Sequence, residues 1–401
     1  MTDAVVGATV EDHRRRILAG VEPLGRSDTV PLGEALGRVL AADVVATLSV
    51  PPFDHAAMDG FAVRAAEVAA PPVELPVAGV VAAGDDAPPL PRGAALRIMT
   101  GAPVPPGADL VVPFEWTSGT DPVRVLRTAD AGRHVRCEGE DVRAGESALA
   151  AGTLLGPAQL GLLTSVGAAS VAVRPRVRLA VVSTGAELVE GQVPDSNSPT
   201  LLAAGRAAGA DAVAYGPAPD DPAGFRAQLT AAVEAADVVV TTGGISAGDH
   251  DVVKAALADE DGFWFGPVAM KPGRPQGCGA LAAADGRRVP VVTLPGTPIA
   301  AYAGFLLYVV PLLHALAGSP WRPVTAPLAA PVPAGDRTVL LPGVLDDDGR
   351  IRPLPGHAGH SQRLLAAADA LLVVPPTGRL VPAGTPVEVL ASVGSPVGSP
   401  V

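Results

Sequence analysis

The chain has 401 residues, of which 48% are hydrophobic and 17% are charged, and its formal net charge is −12. This composition excludes a disordered chain and supplies apolar residues for several cores, so we expect about two to four domains. Nucleic-acid binding depends on clustered Lys and Arg, and because no basic stripe offsets the acidic excess, we expect no nucleic-acid partner.

The N-terminal region contains two segments with helix-like spacing of apolar residues, Glu11–Val21 and Leu32–Ala46. Asp28 and Thr29 stand where they can cap the second segment. Residues 1–16 mix acidic and basic residues and lack the apolar core of a signal peptide. We therefore expect two helices and no secretion signal.

Proline residues punctuate the next region, Val50–Cys137, in which short runs such as Ala108–Trp116 predict strands. Residues 140–173 return to an apolar pattern marked by glycines. We therefore expect a helical domain I made of residues 1–50 and 140–173, interrupted by a domain II of residues 51–139.

A third domain is predicted for residues 174–318, where short apolar runs each precede a glycine-containing loop. The predicted strands are Val177–Val182, Asp237–Thr242 and Val289–Leu294. Pro222–Ala236 is a predicted helix, with Asp220 and Asp221 placed to cap it. Apolar strands that alternate with helices indicate a parallel sheet covered on both faces, in which ligands bind at the carboxyl ends of the strands.

A small β-domain IV is predicted for residues 319–401. Its strands are Thr338–Leu345, Ala370–Val374 and Val387–Leu390. The longest apolar run, Ile299–Leu313, is shorter than the roughly 18 residues of a membrane span and contains Pro311, so we interpret it as a buried helix and expect no membrane contact. Only Cys137 and Cys278 are cysteines, which favours a reducing compartment, and we expect a cytoplasmic protein.

The segment DVVVTTGGISAGDHD joins a predicted buried strand to a glycine loop. Gly243 and Gly244 lack a Cβ atom, so backbone N–H groups can approach a phosphate closely, and Ser246 adds a hydroxyl donor. The same glycine pair also occurs in ordinary tight turns. Asp249 and Asp251 favour the functional interpretation, because carboxylates beside an anion site make sense mainly as Mg²⁺ ligands.

The segment STGAEL contains Thr184 and Gly185 at the end of a predicted strand and Glu187 just beyond it. Two interpretations are open for Glu187. It is either an acid that the dipole of a following helix stabilises, or a carboxylate linked to Mg²⁺ on the same sheet edge as Asp249 and Asp251.

The segment KPGRP presents Lys271 and Arg274 on a loop stiffened by two prolines. In an acidic chain, two such cations would attract an anion locally. A solvated proline turn is the alternative interpretation.

The segment LPGTPIA begins with Pro295 and Gly296 at a strand end and continues into a helix start. Thr297 is a plausible N-cap with Pro298 in the first turn. The segment acts either as a cap alone or as a source of N–H groups for an oxyanion.

Two further segments, AAMDGFAV and RIMTGAPVP, lie in the predicted domain II. They contain Asp59–Gly60 and Thr100–Gly101, both of which are common turn pairs. By themselves they do not indicate a function.

Taken together in chain order, these segments resemble the molybdopterin molybdenumtransferase family, whose animal relatives include the E domain of gephyrin. EGEDV and PDDP add two acidic matches to the set, which spans essentially the whole chain. The resemblance implies four domains, with a molybdopterin adenylyltransferase-like α/β domain and a C-terminal β-barrel. It also implies a homodimer whose cleft is shared between the α/β domain of one subunit and domain II of the other.

The resemblance also implies roles for individual residues. Asp59 and Thr100 match active-site positions that act across the dimer interface, and Lys271 matches a substrate-binding lysine. The matching functional carboxylates are Asp141, Glu187, Asp220 and Asp251. The expected Mg²⁺ ligands are Glu187, Asp220, Asp249 and Asp251, and the expected substrate-binding set adds Thr184, Gly185, Gly243, Gly244, Ser246, Arg274, Pro295, Gly296, Thr297 and Ser361.

The implied reaction is Mg²⁺-dependent cleavage of a pterin adenylate. Adenylylated molybdopterin and molybdate are the substrates, molybdate is captured by the dithiolene, and AMP is released. Transient partners would be molybdopterin adenylyltransferase and the recipient molybdoenzymes.

Several positions depart from the family pattern, and all of them concern anion contacts. Arg274 replaces a lysine, Thr297 and Ala300 replace an Asn and a Ser, and Pro267 stands where a basic residue is usual. An arginine of the last domain is replaced at Leu341 or Pro342, whereas Ser361 keeps a hydroxyl. Molybdate affinity is therefore the property that these changes affect most.

Two other functions are compatible with the sequence. A paralogue that binds molybdopterin or its adenylate without inserting metal would tolerate the substituted anion contacts, but it has no need of an acidic cluster. A molybdopterin adenylyltransferase would share the α/β domain, but it has no need of domain II and the terminal β-domain. Insertion of molybdate fits the retained carboxylates best.

Overall fold

The computed structural model describes residues 7–219, 221–245, 251–356 and 361–391. The chain forms two compact units. The insertion unit comprises Thr29–Leu36 and Leu40–Val173, and the main unit comprises Met1–Asp28, Gly37–Val39 and Arg174–Val401. The boundaries of the four expected domains stay a prediction.

The main unit begins with helix α1 (Val10–Leu18), which confirms the first predicted helix. Its N-cap is Thr9, whose hydroxyl accepts a hydrogen bond from Asp12 N at 3.0 Å. The Asp12 carboxylate in turn accepts a hydrogen bond from Thr9 N at 3.2 Å. This capping box satisfies donors that the helix itself cannot satisfy, and Val10 and Ile17 pack into the core.

The insertion unit consists mainly of short strands. They are β1 (Asp28–Pro31), β2 (Val44–Val45), β3 (His55–Ala56), β4 (Gly60–Val63), β5 (Val73–Leu75), β6 (Val77–Val81), β7 (Ala95–Ile98), β8 (Leu110–Pro113), β9 (Thr117–Ser118), β10 (Val123–Val125), β11 (Val135–Arg136), β12 (Ser147–Leu149) and β13 (Ser170–Val173), with helix α2 at Pro157–Ser165. The four-stranded sheet has the order β6-β7-β4-β8, and a three-stranded sheet has the order β5-β10-β9. Strand β8 confirms the core of the strand predicted in Ala108–Trp116.

The second predicted helix, Leu32–Ala46, is wrong. A 3₁₀ turn at Leu32–Glu34 and strand β2 occupy this stretch, and the proposed caps Asp28 and Thr29 belong to strand β1. Gly37 has φ +72°, a left-handed conformation that interrupts a right-handed helix. Strand β2 pairs with the distant strand β12, so tertiary pairing overrides the local apolar spacing.

The main unit contains a six-stranded sheet in the order β15-β14-β16-β20-β19-β17. The strands of this region are β14 (Arg178–Ser183), β15 (Asp211–Ala214), β16 (Val238–Thr242), β17 (Trp264–Pro267), β18 (Met270–Lys271), β19 (Pro275–Ala282) and β20 (Arg288–Leu294). The helices are α3 (Ala186–Val189), α4 (Asn197–Ala207), α5 (Pro222–Ala235), α6 (Val252–Leu257), α7 (Pro298–Gly304) and α8 (Val310–Ala317), with a π-helical segment, Phe305–Val309, between the last two.

All three predicted strands of this sheet and the helix α5, which Asp221 caps through Gly224 N at 2.8 Å, are confirmed. The first four strands of the sheet are parallel, but β19 and β17 are antiparallel, so a purely parallel sheet is wrong. The turn between β19 and β20 is too short for a crossover helix, which forces an antiparallel pair.

Apolar side chains leave strand β14 on both sides of the sheet. Leu179 and Val181 join one hydrophobic core, whereas Ala180 and Val182 join another. The helix Pro298–Ala317 has the length and hydropathy to cross a membrane, but 78% of its most apolar window is buried in the protein. It extends beyond the predicted run and confirms the interpretation of that run as a buried helix.

The C-terminal part of the main unit forms a second six-membered sheet. The elements of this part of the chain are β21 (Val324–Pro327), β22 (Val332–Pro333), β23 (Thr338–Leu345), β24 (Ile351–Pro353), α9 (Gln362–Ala366), β25 (Ala370–Val374), β26 (Leu380–Val381) and β27 (Pro386–Ala391). Strand β24 pairs with β23, whereas β22 and β26 form a separate two-stranded sheet. The strand order of this second sheet is β18-β23-β25-β27-β21. Strands β17 and β19 belong to the main sheet, so the chain leaves the main sheet after β17, joins the second sheet at β18 and returns to the main sheet at β19. The predicted strands are confirmed, and the barrel stays a prediction.

Candidate functional site

Three predicted loops meet at the carboxyl edge of the main sheet, because β14, β16 and β20 are adjacent and parallel. They border a cleft of about 640 Å³. Its lining residues are Thr184, Gly185, Glu187, Leu188, Val193, Pro194, Asp195, Ser196, Asn197, Gly243, Gly244, Asp251, Gly296, Pro298 and Gln362. The loops after these three strands, which are distant in sequence, therefore share one site, as parallel topology requires.

The floor of the cleft depends on close backbone approach at the glycine loops. Gly243 and Gly244 have φ +89° and +64°, which favour glycine. A Cβ atom on Gly243 would lie 2.8 Å from Thr184 Oγ1 and 2.9 Å from the Thr184 carbonyl oxygen. A Cβ atom on Gly296 would lie 3.4 Å from the Cα atom of Gly243. These contacts leave an open, backbone-lined surface suited to an anionic group.

Two of the predicted carboxylates line the cleft. Glu187 is exposed on α3, and its carboxylate lies close to Gly185. A Cβ atom added to Gly185 would be 2.6 Å from Glu187 Oε1. Asp251 is partly buried at the N-cap position of α6. Asp220, Ser246 and Asp249 lie outside the described residues. Within the described ranges, no group of three or more His, Cys, Asp or Glu side chains is arranged to hold a metal.

Asp195 is a cleft residue that the sequence analysis missed. Its Oδ2 atom accepts hydrogen bonds from the hydroxyls of Ser183 at 2.7 Å and Ser198 at 2.6 Å. Its Oδ1 atom accepts from the backbone N–H groups of Asn197 and Ser198, both at 3.0 Å. Partial burial raises the pKa of Asp195, but these donors outweigh it and the pKa lies below its ordinary value. The run DSNS, a carboxylate followed by capping residues, was the available signal.

A second cavity of about 400 Å³ adjoins the cleft and shares Gly243, Gly244 and Gly296 with it. Its other lining residues are Ile245, Pro272, Gly273, Pro275, Pro295, Thr297 and Ala300. Thr297 is the N-cap of α7, as predicted, although its side chain makes no capping bond. No charged side chain of the described residues lines this cavity, so it suits a neutral group.

The two predicted anion-binding cations are not brought into either cavity lining. Lys271 and Arg274 are exposed, and neither forms an ion pair with a described residue. Their loop nevertheless supplies Pro272, Gly273 and Pro275 to the second cavity. The two cations are therefore neighbours in sequence of residues that line the second cavity, but neither of them lines it. Pro267 lies on β17 opposite Pro275.

The C-terminal part contributes a different residue from the one expected. The Ser361 hydroxyl caps α9 by accepting a hydrogen bond from Leu364 N at 3.3 Å. The next residue, Gln362, lines the cleft, and its Nε2 donates to Ser196 Oγ at 3.2 Å. Leu341 and Pro342 lie within strand β23.

The predicted residues of the insertion unit form a local pair. Asp59 and Thr100 are both exposed, and the Asp59 carboxylate accepts hydrogen bonds from the Thr100 backbone and hydroxyl. Asp141 is exposed, and its backbone N–H donates to the Val50 carbonyl oxygen at 3.0 Å. The insertion unit thus presents one carboxylate, that of Asp59, held by hydrogen bonds at its surface.

Three family models match successive parts of the chain. They are "MoeA N-terminal region (domain I and II)" over residues 8–167, "Probable molybdopterin binding domain" over residues 180–315 and "MoeA C-terminal region (domain IV)" over residues 325–391. Together they span most of the sequence in a single order.

Whole proteins and a solved structure also resemble this chain. Molybdopterin molybdenumtransferase 2 and molybdopterin molybdenumtransferase 1 of Mycobacterium tuberculosis are 43% and 37% identical, each covering 95% of this chain and 98% of the relative. The crystal structure of a molybdopterin biosynthesis moeA protein from Pyrococcus horikoshii is 27% identical with a TM-score of 0.81, covering 96% of this chain and 100% of that one.

Proposed function

We propose that this chain, which belongs to the molybdopterin molybdenumtransferase family, inserts molybdate into adenylylated molybdopterin and releases AMP. Family membership places the chain in molybdenum-cofactor biosynthesis. The choice of adenylate as substrate and of molybdate insertion as the reaction is our proposal. The observation that carries it is the meeting of three glycine loops and two carboxylates in one cleft.

The glycine loops support the binding of a phosphate-containing substrate. The backbone approaches Thr184 at Gly243, and Val253 at Gly244, more closely than a side chain allows, so a ligand in the cleft meets peptide groups directly. The adjoining uncharged cavity would take the flat pterin, while the polar cleft would take the adenylate phosphate. Lys271 and Arg274 would supply a favourable local potential in an acidic chain.

The carboxylates of the cleft fit Mg²⁺. This ion usually keeps several waters and takes one or two carboxylates together with substrate phosphates, so the absence of a three-ligand group among the described residues does not conflict with it. Glu187 and Asp251, which both line the cleft, would hold it. Asp220 and Asp249, the other ligands predicted from the sequence, lie outside the described residues. When bound, Mg²⁺ would neutralise phosphate charge and polarise the phosphoanhydride.

The remaining assignments concern assembly and location. A homodimer would let Asp59 and Thr100 of one subunit complete the cleft of its partner, which would explain why these exposed residues are ordered by hydrogen bonds within their own unit. We propose a cytoplasmic enzyme that receives its substrate from molybdopterin adenylyltransferase and delivers the product to molybdoenzymes.

The proposal is tested by incubating purified protein with molybdopterin adenylate, Mg²⁺ and molybdate. We expect AMP release, measured chromatographically, and active cofactor, measured by activation of a cofactor-free molybdoenzyme. Both should disappear when Mg²⁺ is chelated. Absence of both products under all these conditions would overturn the proposal.

Two other outcomes would identify the alternative functions. Tight binding of the adenylate without AMP release would indicate a carrier. Formation of adenylate from molybdopterin and ATP would indicate an adenylyltransferase.

A further inference from the structure

The carboxylate of Asp195 occupies a position between two walls of the cleft. On one side it accepts from Ser183, the last residue of β14, which directly precedes the cleft-lining Thr184. On the other side it accepts from the backbone of Asn197 and Ser198 in the first turn of α4. One carboxylate therefore joins the strand end that carries STGAEL to a helix start.

The helix start is tied in turn to the third glycine loop. Asn197 is 9% exposed, and its Nδ2 donates to the carbonyl oxygen of Gly296 at 2.8 Å. Gly296 also approaches Gly243 closely, as described above. A continuous chain of hydrogen bonds thus runs from Ser183 through Asp195 and Asn197 to Gly296.

We propose that Asp195 is a positioning residue that sets the spacing between the STGAEL and LPGTP loops, acting through Ser183 and Asn197. It is not a Mg²⁺ ligand, because four hydrogen bonds already occupy its two oxygens. Helix capping alone would explain the two backbone bonds, but it does not explain the bond from Ser183 or the link to Gly296. This role adds a positioning residue to the proposed function. Only the kinetic experiment described below depends on the proposed function; the hydrogen-exchange experiment does not.

The first arm measures amide hydrogen exchange and needs no substrate. In Asp195→Asn we expect exchange within residues 184–188 and 295–299 to rise about 10-fold, because the amide cannot accept all four bonds. The matched control is Asp12→Asn, which removes a capping carboxylate from α1 in the same unit. Unchanged exchange in both loops of Asp195→Asn would overturn the inference.

The second arm separates positioning from loss of folded protein. Asp195→Asn should raise KM for the adenylate by roughly 10-fold as well as lower kcat, because misplaced loops weaken binding and orientation. A lower kcat with unchanged KM would show destabilisation only and would contradict the inference.

A double-mutant cycle tests whether the Ser183–Asp195 and Asn197–Gly296 hydrogen bonds, at the two ends of this chain of contacts, are coupled. The effect of Ser183→Ala together with Asn197→Ala on KM should be smaller than the product of the single effects. Simple multiplication of the two effects would mean that the contacts work independently, which would contradict the inference. If the wild-type protein shows no turnover, the proposed function fails and the exchange arm still decides the role of Asp195.

Discussion

Thr100 donates two hydrogen bonds to a single atom, Oδ1 of Asp59, from its backbone N–H and from its hydroxyl, each at 2.7 Å. The backbone donor, followed by the hydroxyl donor, lowers the pKa of Asp59 below its ordinary value. Since both residues are exposed, the pair holds an ionised carboxylate in a fixed orientation at the surface of the insertion unit. In the proposed homodimer, this carboxylate would help complete the cleft of the partner subunit.

Replacing Thr100 by Val removes one of these donors, so we expect the pKa of Asp59 to rise. Because the group's pKa is lowered in the folded protein, its charge is lost only as pH falls, and the variant should lose it at a higher pH. The acid limb of the kcat/KM profile should therefore move upward, with kcat/KM lower by roughly 10-fold. Thr128→Val, which removes a hydroxyl bonded only to a carbonyl, is the control. An unshifted acid limb would rule out a role for ionised Asp59.

Glu187→Gln should reduce turnover far more than stability. The side chain is exposed, so its charge contributes little to folding, but in the proposed site it binds Mg²⁺. We expect a loss of roughly 100-fold in kcat at fixed Mg²⁺, together with an unchanged melting temperature. Glu190→Gln, at the exposed end of the same short helix, should retain activity. Equal activity of the two variants would remove Glu187 from the reaction.

Gly243→Ala should lose both stability and ligand binding. The alanine would adopt a positive φ, and its Cβ atom would collide with Thr184 at 2.8 Å. Gly286→Ala is a matched control, since φ is +85° there and nothing lies within 4 Å of the added atom.

We expect about 1 kcal/mol of destabilisation from backbone strain in both glycine variants, measured by urea unfolding. Only Gly243→Ala should also lose AMP binding, measured by calorimetry. Retained binding in a folded Gly243→Ala protein would contradict the proposed phosphate loop.

His13 should make the protein sensitive to acid. Its ring is buried between Trp264 and Tyr308, with centroids 5.0 and 4.7 Å away. Burial, with a smaller effect of the Arg16 charge, lowers the pKa of His13 to about 3 from an ordinary 6.5. The neutral ring is therefore favoured in the folded state, and its contribution to stability is lost as pH falls below 6.5.

Between pH 6.5 and 5 this linkage amounts to about 2 kcal/mol. The variant His13→Phe should lose less stability over that interval than the wild type, whereas replacement of the half-exposed His55 by Gln should not differ from the wild type. Urea unfolding at both pH values measures this. Identical losses in wild type and His13→Phe would disprove the prediction.

The sequence alone predicted the central strands of the main sheet, their glycine loops and the cap of α5. These features depend on local rules: apolar β-branched runs form buried strands, glycine permits positive φ, and an aspartate before a proline starts a helix. Parallel topology then places Thr184, Gly243 and Gly296 at one edge without further information. The family resemblance, carried by the same loops, was confirmed by the family models and the relatives.

Tertiary structure decided what local patterns could not. Leu32–Ala46 has helical spacing, but strand β2 within it pairs with residues about 100 positions away. Asp195 became a cleft residue only because α4 packs beside β14, and Gln362 reached the cleft only because α9 contacts α7. Long-range hydrogen bonds depend on which helices and strands lie next to each other in space. That arrangement is decided by how the apolar faces of whole helices and sheets are buried, and a short stretch of sequence does not contain this information.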